Sequence, residues 1–296
     1  MWLFLALLSA LTLGVYDVFK KYSVRENAVL PVLFLSCFTS ALIFLPIVTF
    51  SHFDPELMKS LSIYSPELNY KEHLLVIIKS LIVVSSWVFS FFALKNLPLT
   101  IVSPIRATGP VWTFMGAIII FSEKLSPIQW LGISITFIFF YMFSVAGKSE
   151  GISFRKNKWV WCIIAGTLLG AVSGLYDKHL MRNYDRIAIQ AWFSFYQVVL
   201  LLPITLIFWY PKRKSMPFKW RWTIPLIGLF LVIADFVYFY ALSFPDSLIS
   251  IVSAIRRSGV VVAFTLGAIL FKEKNIRQKG IYLTGIIIGI MLLMLS

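Results

Sequence analysis

Apolar runs of about 18 to 25 residues follow one another along the whole of this chain, and a run of that length is what a helix needs to cross a bilayer. With 59% hydrophobic and only 14% charged residues, and a mean hydropathy of +0.85, the chain has more apolar surface than a soluble domain needs. The pattern predicts an all-α integral membrane protein with ten transmembrane helices, at 2–20, 29–50, 74–94, 99–121, 126–146, 158–180, 188–209, 222–243, 247–271 and 277–295. Three linkers are longer than the rest. Residues 51–73 have room for a short surface helix, residues 147–157 form the natural halfway boundary, and residues 210–221 are rich in Lys and Arg.

The halves of the chain repeat. Ile101-Val102-Ser103-Pro104-Ile105-Arg106-Ala107-Thr108-Gly109 in the fourth expected helix recurs as Ile251-Val252-Ser253-Ala254-Ile255-Arg256-Arg257-Ser258-Gly259 in the ninth. Both copies run on to a Phe-x-Glu-Lys end, at Phe121–Lys124 and Phe271–Lys274, with the same spacing from arginine to glutamate. Gly14-Val15-Tyr16-Asp17 in the first helix likewise recurs as Gly174-Leu175-Tyr176-Asp177 in the sixth. Each half is therefore read as a five-helix unit, 1–148 and 155–296. An odd number of crossings makes the second unit enter the membrane from the opposite side. The expectation is two inverted five-helix repeats with a substrate site between them, which argues against a simple membrane anchor.

The formal net charge of +14 does not point to nucleic acid, because the charges sit in short loops between apolar runs. Counted with the helix ends, the loops joining helices 1–2, 3–4, 5–6, 7–8 and 9–10 carry seventeen Lys and Arg, against six on the other side. The positive-inside rule puts those five loops in the cytoplasm and both termini outside. Met1 leads straight into Trp2-Leu3-Phe4 with no basic segment before it, so a cleavable signal peptide is not expected. Cys37 and Cys162 lie within apolar runs, and His52, His73 and His179 are scattered. Neither a disulfide framework nor a metal site is expected, and no cofactor.

A guanidinium near a bilayer midplane costs from about 3 to more than about 10 kcal/mol, so intramembrane arginines need a reason. Arg106 lies about 7 residues inside its helix, roughly 10 Å deep at about 1.5 Å per residue. Arg256 and Arg257 point about 100° apart, so one can face a cavity while the other faces a neighbouring helix. Asp235, at similar depth in the preceding helix, is the expected partner of Arg257 in a structural ion pair. The position matching Asp235 in the first half is Ser85, which leaves Arg106 without an equivalent partner. Arg106 and Arg256 are then the candidates for holding an anionic ligand group, since arginine's planar fork suits carboxylate or phosphate. Asp17 and Asp177, each after a tyrosine (Tyr16, Tyr176), read either as interfacial carboxylates offset by Lys20, Lys21 or Lys178, or as groups that bind a substrate ammonium or a coupling proton. Trp87, Trp112 and Tyr238 are candidate pocket-lining aromatics, although any single aromatic here is better explained by packing. The intramembrane glycines, Gly109, Gly174 and Gly259 among them, allow close helix approach. Pro104 and Pro110 bracket Arg106 and suggest a bend there. No Walker loop occurs, so any transport is secondary or facilitated.

With its duplicated five-helix unit, its Gly-x-Tyr-Asp segments and its Glu123 and Glu273 helix ends, the chain resembles the drug/metabolite transporter superfamily in its ten-helix EamA-like branch. The resemblance spans essentially the whole chain. It implies alternating access around a central cavity lined by helices 1, 3, 4, 6, 8 and 9. In the organophosphate and nucleotide-sugar branch of that superfamily, basic residues of helices 4 and 9 bind phosphate, and Ile105-Arg106-Ala107 and Ile255-Arg256-Arg257 look similar to those segments. Relatives are usually described with cytoplasmic termini, the reverse of what the charge count gives.

The function expected is a non-ATP transporter of a small anionic or zwitterionic metabolite, working as a monomer or homodimer in the inner or plasma membrane. One alternative is a proton-coupled exporter of cationic drugs relying on Asp17 or Asp177, against which the three intramembrane arginines stand by like-charge repulsion. The other is an intramembrane lipid-modifying enzyme, which would need convergent His, Asp, Ser or Cys groups at one depth, and no such group stands out.

Overall fold

A computed structural model describes residues 1–96, 105–106, 108–145, 157–259, 261–262, 265–266 and 276–295. The described residues form α1 (Trp2–Val24), α2 (Val29–Phe53), α3 (Pro55–Ser60), α4 (Tyr70–Asn96), α5 (Gly109–Phe121), α6 (Pro127–Val145), α7 (Lys158–Asn183), α8 (Arg186–Phe208), α9 (Thr223–Ser243), α10 (Ile249–Arg257) and α11 (Ile276–Leu295), with one 3₁₀ turn at Tyr210–Lys212. The fold is all-helical. Among the described residues, six helices are long and apolar enough to span a bilayer, and Gly109–Phe121, Pro127–Met142 and Gly280–Leu295 are shorter apolar helices. A described helix falls in each of the ten expected places, and α3 is the surface helix for which 51–73 left room. The expected bend at Pro104, the Glu273 end of the ninth helix and the halfway linker 147–156 lie outside the described residues.

Short polar residues set the helix starts. At α4 the Asn69 amide donates to Glu72 Oε2 (2.7 Å) and the Glu72 amide to Asn69 Oδ1 (3.0 Å), a reciprocal capping box. Ser126 and Gln129 repeat that arrangement at α6. The Asp185 carboxylate accepts from the Ile187 and Ala188 amides at the start of α8, both at 2.9 Å. The second helix of each half holds an internal proline, Pro46 in α2 and Pro203 in α8.

The most extensive helix pairings obey the inverted repeat. Exchanging each helix for its counterpart in the other half turns the α1–α9 contact into α7–α4, α2–α9 into α8–α4, and α1–α10 into α7–α5, and all six contacts occur. The pairs α2–α8, α5–α10 and α6–α11 map onto themselves and also occur. Small polar groups stitch equivalent pairs. Ser9 Oγ donates to the Ala234 carbonyl (2.7 Å) between α1 and α9, and Ser86 Oγ donates to the Gly166 carbonyl (2.7 Å) between α4 and α7. Gly14 meets Gly259 where α1 passes the end of α10. A Cβ on Gly14 would stand 2.6 Å from the Gly259 carbonyl oxygen, so no larger residue fits without displacing backbone.

Candidate functional site

Two polar clusters lie inside this apolar bundle. The first gathers around the arginines. Asp235 on α9 forms its ion pair with Arg256, not with Arg257 as depth alone suggested. Both partners are mostly buried, at 19% and 16% side-chain exposure. The Arg256 guanidinium also lies over the Tyr238 ring at 3.9 Å from its centroid, so α9 supplies it with both a carboxylate and a π face. Arg256 is therefore engaged on both counts by α9. Arg257 turns the other way and is exposed. Its terminal nitrogen would stand 3.4 Å from a Cβ on Gly109, at the start of α5. The absent side chain at Gly109 makes room for that arginine.

Arg106, just before α5, is exposed as well. Among the described residues neither Arg106 nor Arg257 has a carboxylate within ion-pair distance. The two lie within each other's electrostatic range. Asp17 on α1 joins them: its charge is felt together with Lys20, Arg106, Arg257 and Arg256. Asp17 is exposed and lies within the electrostatic range of the arginine segments of both repeats. Tyr16, beside it, points away into an apolar cluster with Val32, Ile224 and Ile227, with the Lys20 ammonium 5.4 Å from its ring centroid.

The second cluster holds the other aspartate. Asp177 on α7 is paired with Lys79 on α4, and the side chains of Lys79 and Asp177 are 2% and 8% exposed. The Lys79 ammonium also faces the rings of Phe193 on α8 (4.3 Å) and Phe239 on α9 (4.5 Å). Lys178, expected to offset Asp177, instead donates to the Leu242 and Phe244 carbonyls (3.1 and 3.3 Å) and to Ser247 Oγ. Adjacent helix positions diverge by about 100°, so Asp177 and Lys178 cannot both reach one partner. Glu123, beyond the end of α5, accepts from the amides of Ile249 (2.7 Å) and Ser250 (3.2 Å) and from the Ser250 hydroxyl, capping α10. Tyr176 is half-buried and donates to the Leu75 carbonyl at 3.2 Å.

Of the remaining expected residues, Trp87 packs against Leu33, Cys37, Val84 and Leu201. Trp112 is exposed, with its indole N–H donating to the Thr108 hydroxyl on its own helix. The sequence reading passed over Lys79 and the role of Lys178. A lone lysine in the apolar run 74–94 was the available signal, since an ionisable group at that depth requires a partner. A cavity of about 460 Å³ lies apart from both clusters, between the end of α2 and the starts of α4 and α8, lined by residues that include His52, Glu67, His73 and Trp192.

A two-repeat, all-helical bundle that spans the membrane many times, with charged groups held in its interior, has the build of a membrane transporter. The EamA-like transporter family model matches residues 1–145 and again 157–295, so the chain belongs to that family, a branch of the drug/metabolite transporter superfamily. A crystal structure described only as that of a protein shares the fold, with a TM-score of 0.70 and 16% identity over 99% of this chain and 95% of the other. No curated protein matches the sequence.

Proposed function

We propose that this transporter carries a small anionic metabolite by alternating access, with the anion held between Arg106 and Arg257 in the crevice between the repeats. One observation carries the reading: these two guanidiniums are exposed at the middle of a membrane bundle, with no carboxylate of the described residues within ion-pair distance. A membrane protein keeps such charges where they line an aqueous path or meet a ligand. Arg256 is neutralised by Asp235 and steers its neighbour's direction, because the two side chains must diverge. Exposed Asp17 favours a second form of the reading, in which a zwitterion places its ammonium at Asp17 and its acidic group at the arginines. A purely cationic substrate is disfavoured by like-charge repulsion. The Lys and Arg imbalance between the loops orients the chain with the crevice side of α1, near Val24, towards the cytoplasm.

Melting of the purified protein tests the reading. Inorganic phosphate, a phosphate monoester, glutamate and an organic ammonium are added in turn. A ligand at about 100 times its dissociation constant adds about 2.7 kcal/mol. An anion or a zwitterion should raise the melting temperature, and Arg106→Ala should abolish the rise. Stabilisation by the organic ammonium alone would overturn the proposal.

A further inference from the structure

Among the helix contacts that the inversion does not reproduce in the described residues, one is the most extensive. Helix α7 packs against α9, whereas α1 and α4, the pair that inversion equates with them, touch at most marginally among the described residues. One end of the bundle is thus drawn together where the other stands apart. Resting on the transport reading but not on the identity of the substrate, we propose that the α7–α9 contact is the closed gate of the translocation path and that Lys178 is the residue that latches it.

Lys178 leaves α7 and reaches into the end of α9. It is fully buried, and its three donors go to the Leu242 carbonyl, the Phe244 carbonyl and the Ser247 hydroxyl. Those carbonyls belong to the last turn of α9 and the residue after it, where a helix leaves its carbonyls without intrahelical partners and presents its negative pole. A lysine from another helix that fills this position ties α7 to the α9–α10 turn as a unit. Beneath it, Lys79 is held by Asp177 and faces Phe239 of α9, so a second cation presses against the same helix. Glu123 fixes the far side of the same turn by capping α10.

The other repeat lacks the latch. In the match of Gly14-Val15-Tyr16-Asp17 to Gly174-Leu175-Tyr176-Asp177, the residue standing where Lys178 stands is Val18. In the match of Ser85 to Asp235, the residue standing where Lys79 stands is Leu229. The asymmetry is written into the sequence, so it biases the resting protein towards the state closed at the α9–α10 turn and open at Asp17. When the gate opens, Lys178 and the α9 carbonyls exchange each other for water, which makes the latch reversible.

The test reads sidedness, not transport. Cys37 and Cys162 are replaced by alanine, and Thr113→Cys is introduced as a reporter. Thr113 is buried on α5 against Gly174, one turn inward of the latch on α7. A membrane-impermeant maleimide is applied from the face that bears Asp246. The intact latch should leave the reporter slow to react. Lys178→Met should speed labelling from that face by about tenfold, as expected for losing hydrogen bonds from a charged donor, and Lys178→Arg should restore much of the protection. Unchanged labelling in folded Lys178→Met overturns the proposal. If that variant does not fold, Ser247→Ala decides: it removes one acceptor, and labelling no faster than in the parent is the overturning result. Loss of anion binding in the Arg106→Ala experiment leaves this outcome untouched, so failure of the latch and failure of the substrate reading are separable.

Discussion

Asp17 and Asp177 follow the same Gly-x-Tyr pattern in the two halves of the chain and meet opposite fates. Asp177 is buried and paired with Lys79, whose ammonium faces two phenylalanine rings. Asp17 is exposed among the arginine segments. A duplicated motif in an inverted repeat thus meets two different surroundings: one copy is sealed in a buried ion pair while the other stays exposed. The same contrast appears in the glycines that precede them. Gly14 sits against the backbone of Gly259, but the nearest atoms to a Cβ on Gly174 are 3.9 Å away, in Thr113 and Tyr238.

The largest effect expected from this contrast is on stability. Asp177→Ala strands a buried lysine and should lower the stability of the ligand-free protein by about 3 to 5 kcal/mol, by analogy with soluble buried pairs. Asp17→Ala removes an exposed carboxylate and should change it by less than about 1 kcal/mol. Thermal melts of the two variants side by side make the measurement, and equal losses would erase the distinction between the ends. Next in size, Gly14→Ala forces a methyl against a carbonyl oxygen and should cost about 1 to 3 kcal/mol, the range for overpacking. Gly174→Ala meets only ordinary contacts and should melt close to the parent. The smallest effect is at the ring under Arg256. Tyr238→Leu keeps the apolar volume but removes the π face, and should cost about 0.5 to 2 kcal/mol without altering which ligands bind.

The all-helical membrane fold, six of its spans and the duplication were legible in the sequence, because they rest on hydrophobic run length and self-similarity. The choice between Arg256 and Arg257 was not. Depth places both within about 1.5 Å of each other along the helix axis, so depth could only say that Asp235 pairs with one of them. The direction each faces depends on how α10 is rotated against α9, which is settled by the packing of Ile251, Val252, Ala254 and Ile255 in the core. The same holds for Asp177. Lys178 is its neighbour in sequence, but Lys79, far away in the chain, is its neighbour in space. Trp87 was flagged for its type and depth, and its surroundings proved apolar. Local pattern identifies the charged residues that need partners, whereas tertiary rotation assigns the partners.

The adjacent arginines offer the most direct test of the account, which divides their labour: Arg256 holds the fold and Arg257 meets the anion. Melting temperatures of Arg256→Ala and Arg257→Ala, each with and without a stabilising anion, measure this in one series. The account predicts that Arg256→Ala lowers the ligand-free melting temperature by stranding Asp235. It predicts that Arg257→Ala leaves the ligand-free value near that of the parent and abolishes the anion-induced rise. A ligand-free loss in Arg257→Ala as large as that in Arg256→Ala, with the anion-induced rise retained, would contradict it.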